Sequence, residues 1–198
     1  MTSRYECIVI GASSGGLQAL FTVLGPLAPE FPIPILVVQH LLPTGPSSLA
    51  AALHGRVALR VCEASDKQAM QPGEIYVAVP DYHLTVERAA TGVESTYAVG
   101  LSQDPPECFS RPAVNVLFET AAVATEGRLI GVILTGANDD GARGAACLKR
   151  WGGRLLVQDP RTAEHGLMPA ATLAATYANI VGTTAEIGAH LCRLGAIQ

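Results

Sequence analysis

Cys7-Ile8-Val9-Ile10-Gly11-Ala12-Ser13-Ser14-Gly15-Gly16 is the stretch that decides the fold class. The apolar run at its start carries two isoleucines and a valine, whose branched Cβ suits a pleated surface, and predicts a short buried strand. The Gly and Ser cluster behind it predicts a tight turn. Leu17 to Leu24 then keeps apolar residues at helical spacing until Gly25-Pro26 ends the run. The stretch reads as strand, turn and helix, with a serine at the bend. In open α/β sheets ligands collect at the carboxyl ends of the strands, which is where Ser13 and Ser14 stand. A phosphate cradle needs Lys after its last Gly, and Leu17 follows Gly16. A dinucleotide fingerprint needs Gly where Ser13 stands. Gly11-Ala12-Ser13-Ser14-Gly15 fits G-x-S-x-G, in which small neighbours expose a serine hydroxyl on a sharp turn. An ordinary Ser and Gly turn capping a helix fits it as well.

The rest of the chain extends this rhythm. After a proline-dense loop from Gly25 to Pro34, Ile35 to Gln39 is apolar on both faces, as a central parallel strand is, and it ends at His40. Leu41 to Pro46 reads as a loop, Ser47-Ser48 as a cap for a helix from Ala51 to His54, and Val57 to Val61 as the next strand. The middle section changes character. Ile75 to Val79 and the alternating His83 to Glu87 are strands, and Thr91-Gly92 separates them from Tyr97-Ala98-Val99. That pattern predicts an antiparallel hairpin attached to a parallel sheet. From Pro112, read as a first helical residue, Val114, Leu117, Phe118 and Ala121 form one apolar face. Leu129 to Leu134 is a second strongly buried strand running into Thr135-Gly136-Ala137-Asn138-Asp139-Asp140-Gly141. A helix from about Ala142 to Arg150, a strand from Arg154 to Gln158 and helices over Met168 to Tyr177 and Thr184 to Leu194 complete the chain. The expectation is an α/β fold, a doubly wound, mostly parallel sheet flanked by helices, in a single domain over residues 1–198.

Composition narrows the function classes. Of the 198 residues 49% are hydrophobic and 15% charged, which describes a well-buried globular chain. A net charge of −4 with only two lysines, Lys67 and Lys149, offers no basic stripe for nucleic acid. No apolar run reaches the roughly 18 residues of a membrane span, and Arg4 and Glu6 stand where a signal peptide would be apolar. A cytoplasmic location follows. Cys7, Cys62, Cys108, Cys147 and Cys192 are odd in number and lack C-x-x-C pairs, which argues against a disulfide framework and a zinc site. No metal or cofactor is expected. Cys108, in a polar loop, is a candidate reactive thiol.

Ser13, His40 and Asp140 each follow the carboxyl end of a buried strand, so one crevice can gather them. A nucleophilic serine needs an imidazole to take its proton and a carboxylate to hold that imidazole's tautomer. A satisfied polar residue at His40 and an Asn-Asp-Asp-Gly turn are the plainer readings of the same residues.

With these motifs in view, the chain resembles the catalytic domain of the CheB family of chemotaxis protein-glutamate methylesterases. The matching segments are Ile10 to Gly16, Val38 to Pro43, Pro72 to Ala78, Arg111 to Phe118, Gly131 to Gly136 with Asp140-Gly141-Ala142, and Met168-Pro169. The resemblance implies Ser13 as nucleophile, His40 as base and Asp140 as the third member, with Asp140 preferred to Asp139 by register to Gly141-Ala142. It implies an oxyanion hole from the main-chain N–H groups of Ser14 and Ala137, where the family often has Met in place of Ala137. The activity implied is hydrolysis of glutamyl methyl esters on chemoreceptor-type proteins, with glutamine deamidation through the same acyl-enzyme.

Arg111 and Arg143 are candidates for steering an acidic receptor segment, against a plainer reading as solvated or helix-end charges. His83 and Met168 are read as structural. Family members usually carry a receiver domain ahead of the esterase, and here the first strand begins about six residues from Met1. The expectation is a constitutive enzyme, control by a separate regulatory protein, or a substrate outside chemotaxis. Two other readings stay open: a serine esterase using Ser13, Asp140 and His165, and a receptor-binding module without catalysis.

Overall fold

The computed structural model describes residues 5–40, 49–89 and 96–196. In chain order the elements are β1 (Cys7–Ala12), α1 (Gly16–Leu24), β2 (Ile35–Gln39), α2 (Leu49–Leu53), β3 (Arg60–Glu63), β4 (Glu74–Val77), β5 (His83–Arg88), β6 (Tyr97–Ser102), α3 (Val114–Ala124), β7 (Leu129–Ile133), α4 (Ala142–Arg150), β8 (Arg154–Gln158), α5 (Leu167–Ala175), β9 (Ile180–Gly182) and α6 (Thr184–Ala196). The expected loop at Leu41–Pro46, the Ser47-Ser48 cap and the separator Thr91-Gly92 lie outside the described residues.

Seven strands pair in the order β3-β4-β2-β1-β7-β8-β9, and every pairing is parallel. The central strands β1 and β7 are buried along their whole length, which is why their sequences are apolar without alternation. In β1, Cys7 and Val9 face a layer built from α3, α4, α5 and the β5–β6 hairpin. Ile8, Ile10 and Ala12 face a layer built from α1, α2 and α6. The polypeptide leaves β1 for α1 on one face and leaves β7 for α4 on the other. Two adjacent parallel strands whose connections depart to opposite faces open a crevice at their carboxyl ends. Ser13 stands at one lip of it and the Thr135 to Asp140 loop at the other.

Four details differ from the sequence reading. The antiparallel pair β5–β6, in register from His83 opposite Ser102 to Arg88 opposite Tyr97, forms a sheet of its own against α3 and does not extend the parallel sheet. The strand expected at 57–61 begins instead at Arg60, because α2 runs on into a turn in which Val57 N–H still donates to Leu53 O, while Arg60 N–H donates to Gly73 O. Pro112 is not the first helical residue: Ala113 is extended, and α3 starts at Val114. The three-residue edge strand β9 carries no periodic signal and is placed by Asn179 Oδ1, which accepts from Leu155 N–H. Among the described residues no helix is long and apolar enough to cross a membrane.

The layer beneath the crevice depends on close contact between α3 and α4. Phe118 is fully buried, and a Cβ on Gly144 would stand 2.8 Å from its Cβ. Phe118→Ala is predicted to cost about 3–5 kcal/mol, the range for deleting a buried aromatic ring, measured as a lower urea midpoint with an unchanged m value.

Candidate active site

The turn after β1 is held from several sides. Ser13 N–H donates to Thr135 O (2.9 Å), so the β1–β7 ladder continues past the strands, and Gly16 N–H returns to Ser13 O (2.8 Å). Gly15 begins α1 at φ 77°, a conformation glycine adopts without strain. A Cβ on Gly16 would fall 2.0 Å from Gln39 Oε1, so the turn closes only with glycine there.

Two side chains fasten the turn to its neighbours. Gln39 Nε2 donates to Ser13 O (2.8 Å) and to His40 O (3.4 Å). Thr135 Oγ1 donates to Ser14 O (2.9 Å) and accepts from His165 N–H (2.9 Å). The sequence reading assigned no role to either residue. A polar residue closing an otherwise apolar strand, as Gln39 closes β2, is the one trace of that role in the sequence.

The structure brings Ser13, His40 and Asp140 together. His40 Nδ1 lies 3.0 Å from Ser13 Oγ, and His40 Nε2 lies 2.7 Å from Asp140 Oδ2. Turning the ring over would put carbon at both contacts, so both nitrogens are assigned by their partners. Asp140 is fully buried, while Asp139 is exposed. Oδ2 of Asp140 also accepts from Val114 N–H (2.6 Å), and Oδ1 accepts from Asn115 N–H (2.9 Å). A carboxylate thus caps α3 from across the structure and accepts a third bond from the imidazole, which sets the proton of His40 on Nε2 and leaves Nδ1 as the acceptor facing serine. In return Asn115 Oδ1 accepts from Gly141 N–H (3.0 Å) and Gly144 N–H (2.8 Å) at the start of α4.

Ser14 and Ala137, the candidate oxyanion donors, sit on the two lips of the crevice. Their N–H groups donate to no protein acceptor among the described residues. Gly136 N–H donates to His165 O (2.9 Å) and Met168 N–H to Gly136 O (3.0 Å), which fixes the loop carrying Ala137. A cavity of about 510 Å³ opens here, lined by Ser13, Ser14, Leu17, Gln39, His40 and Glu164 among others.

Other candidates fall elsewhere. His165 is not at the nucleophile: its backbone serves the loop, and its half-exposed ring has Nε2 3.6 Å from Glu164 Oε1. Arg111 is engaged by Asp81 Oδ1 (2.6 Å) and by the carbonyls of Gln103 and Asp104. Arg143 is engaged by Glu107 and Glu119, 2.7 Å each. His83 is buried, with Nδ1 accepting from Ala113 N–H and Nε2 donating to Pro105 O. Met168 is buried against Gly136. All five cysteines are free. The Cys108 thiol is pushed up by burial and then by the charges of Asp140, Asp139 and Glu107, the reverse of what a reactive thiolate needs. Glu107, Cys108 and Asp140 bring potential metal-ligand atoms within 4.8 Å of one another. Three N–H donors engage Asp140 and Arg143 engages Glu107 Oε2, while Glu107 Oε1 is buried without a hydrogen-bond partner among the described residues.

Comparison with known proteins follows the same lines. A family model described as CheB methylesterase matches residues 8–191. A putative protein-glutamate methylesterase/protein-glutamine glutaminase of Leptospira interrogans is 42% identical over 191 residues, covering 96% of this chain and 95% of that one. A protein-glutamate methylesterase/protein-glutamine glutaminase of Maricaulis maris is 38% identical over 192 residues, and the chain spans 47% of its length. The crystal structure of the Thermotoga maritima CheB methylesterase catalytic domain superposes with a TM-score of 0.89 at 33% identity, covering 96% of this chain and 98% of that one.

Gln39→Leu keeps side-chain bulk and removes the donor shared by the Ser13 and His40 carbonyls. A buried carbonyl left unpaired costs about 1–3 kcal/mol. Because the carbonyls belong to the turn and to His40, Ser13 labels with a fluorophosphonate probe about tenfold more slowly, and the thermal midpoint falls by a few degrees.

Proposed function

The chain belongs to the CheB methylesterase family, and we propose that it is a single-domain serine hydrolase that removes methyl from glutamyl methyl esters on chemoreceptor-type signalling proteins. The observation that carries this reading is the hydrogen-bonded series Ser13 Oγ, His40 Nδ1, His40 Nε2, Asp140 Oδ2, at 3.0 and 2.7 Å. These separations suit proton transfer from the hydroxyl to an imidazole held in one tautomer.

In the proposed reaction Ser13 Oγ attacks the ester carbonyl as its proton passes to His40 Nδ1. Negative charge develops on the carbonyl oxygen between the two lips of the crevice, toward the N–H groups of Ser14 and Ala137. One such donor is worth about 2.7–4 kcal/mol in the transition state. The imidazolium that forms is stabilised by Asp140. It returns the proton to the departing methoxide, and methanol leaves. Water then attacks the acyl-enzyme with His40 as base, releasing the glutamate carboxylate and Ser13. A glutamine side chain enters the same sequence with ammonia as leaving group. No step calls for a cofactor, and the substrate places the enzyme in the cytoplasm beside the receptor's signalling segment.

Methanol release from methylated receptor is predicted to fall about 10⁴-fold or more in Ser13→Ala and His40→Ala, as removal of a hydroxyl nucleophile or its base does elsewhere. His165→Ala keeps its rate and its fluorophosphonate labelling. An equal rate in wild type and Ser13→Ala would end the serine mechanism. Binding of receptor without turnover or labelling would favour a module that has kept only the fold. Asp140→Asn, unlike Asp139→Asn, is expected to lose both rate and stability, because an amide nitrogen cannot accept from both Val114 and His40.

A further inference from the structure

The turn that carries the nucleophile has a carboxylate from another segment laid along it. A Cβ on Gly15 would fall 2.8 Å from Glu164 Oε2 and 2.9 Å from Glu164 Cβ, so the side chain rests on the turn close behind Ser13. Glu164 lines the same cavity as Ser13 and His40. It is 67% exposed, and its one basic neighbour within 4 Å among the described residues is the His165 ring, 3.6 Å away.

This charge is not offset by the rest of the cavity. Apart from the His40 imidazole, Glu164 is the one acidic or basic side chain lining it among the described residues. Residues 41–48, which follow His40 in the chain, include no charged side chain. The arginines of neighbouring segments are spent elsewhere: Arg111 on Asp81, Arg143 on Glu107 and Glu119, and Arg161 on Asp159. Arg56, which lies 5.1 Å over the Phe21 ring, is not a lining residue. Gly15 and Gly16 at the start of α1 do line the cavity, and α1 has no side-chain cap. A helix N-terminus attracts anions. With Glu164 laid on Gly15, a carboxylate of the protein already answers that attraction.

We propose that Glu164 sets the charge selectivity of the crevice, admitting acyl groups that carry no negative charge, ester or amide, and opposing anionic ones. Like charges about 6 Å apart near a protein surface disfavour one another by about three- to tenfold, and less in salt. For the receptor substrate, where the proposal rests on the methylesterase reading, the residues flanking the esterified glutamate are neutral or basic. The glutamate carboxylate that hydrolysis leaves is repelled from the site that made it.

The test compares two small esters that need only Ser13. One is p-nitrophenyl acetate, which is neutral, and the other is the mono-p-nitrophenyl ester of glutaric acid, which keeps a free carboxylate. The rate counted for each is the part lost in Ser13→Ala. Glu164→Gln keeps the side-chain shape and removes its charge. It is expected to raise the ratio of kcat/KM for the anionic ester to that for the neutral one about fivefold at low ionic strength. Glu164→Asp keeps the ratio low, Glu164→Lys raises it further, and about 0.5 M salt brings wild type and Glu164→Gln together. A wild-type ratio in both the Gln and the Lys variants overturns the proposal. So does a change common to both esters, which is what a merely structural role would give. Demethylated receptor is expected to inhibit Glu164→Gln at about fivefold lower concentration than wild type, and equal inhibition overturns the extension to receptor. Wild type that cleaves the small esters but releases no methanol from methylated receptor ends the methylesterase reading, while the ratio still decides the charge selectivity.

Discussion

A buried carboxylate that ends one helix and orients an imidazole is the contact on which the rest of the site depends. Asp140 precedes α4 yet caps α3, through Val114 and Asn115, and Asn115 caps α4 in return. Helix starts leave N–H groups without partners, and burying them unsatisfied is costly. Neither α3 nor α4 has a local side-chain cap of its own. The reciprocal exchange answers both needs at once and locks the two helices in register. With two of its bonds spent on α3, Asp140 has no freedom to turn, and the third bond therefore points His40.

The nucleophile's turn follows the same economy from the other direction. Its main chain is bonded to β7 through Ser13 N–H, to β2 through the Gln39 amide and to the 165–168 segment through Thr135. Every anchor lies on backbone atoms, and the Ser13 hydroxyl is left to His40. The turn can thus be rigid without its reactive atom being engaged elsewhere, which is what preorganisation requires.

What could be seen in the sequence and what could not divide along physical lines. Ser13, His40 and Asp140 stood out because polar residues that close apolar runs mark strand ends, and strand ends in a parallel sheet share one edge. Register to Gly141-Ala142 in the family motif prefers Asp140 to Asp139, while the burial that separates the two is something adjacent aspartates do not announce. Asn115 sits inside a helical pattern, so its cap on α4 is invisible to periodicity. The hairpin was legible as antiparallel, but nothing in its alternation says that it packs on α3 apart from the main sheet. Pro112 looked like a helix start because local capping rules are read locally, and here the cap comes from residue 140.

Strand order also accounts for the way His40 uses its ring. His40 follows β2, Ser13 follows β1 beside it, and Asp140 follows β7 one strand further on. Neighbouring strands are about 4.8 Å apart, so the acid lies about twice as far from the base's strand as the serine does. Nδ1 is the ring nitrogen nearer the main chain and Nε2 the farther one. The near nitrogen meets the near strand's serine, and the far nitrogen spans β1 to reach the far strand's carboxylate. In the chymotrypsin arrangement the two nitrogens have the opposite assignment, with Nε2 on serine. The chemistry is indifferent to that exchange, since either nitrogen accepts a proton when the other is held protonated. The strand that carries the base therefore selects the assignment: from β2 the ring presents Nδ1 to serine, and placed beyond Asp140 on the other side of the sheet the same ring would present Nε2 instead.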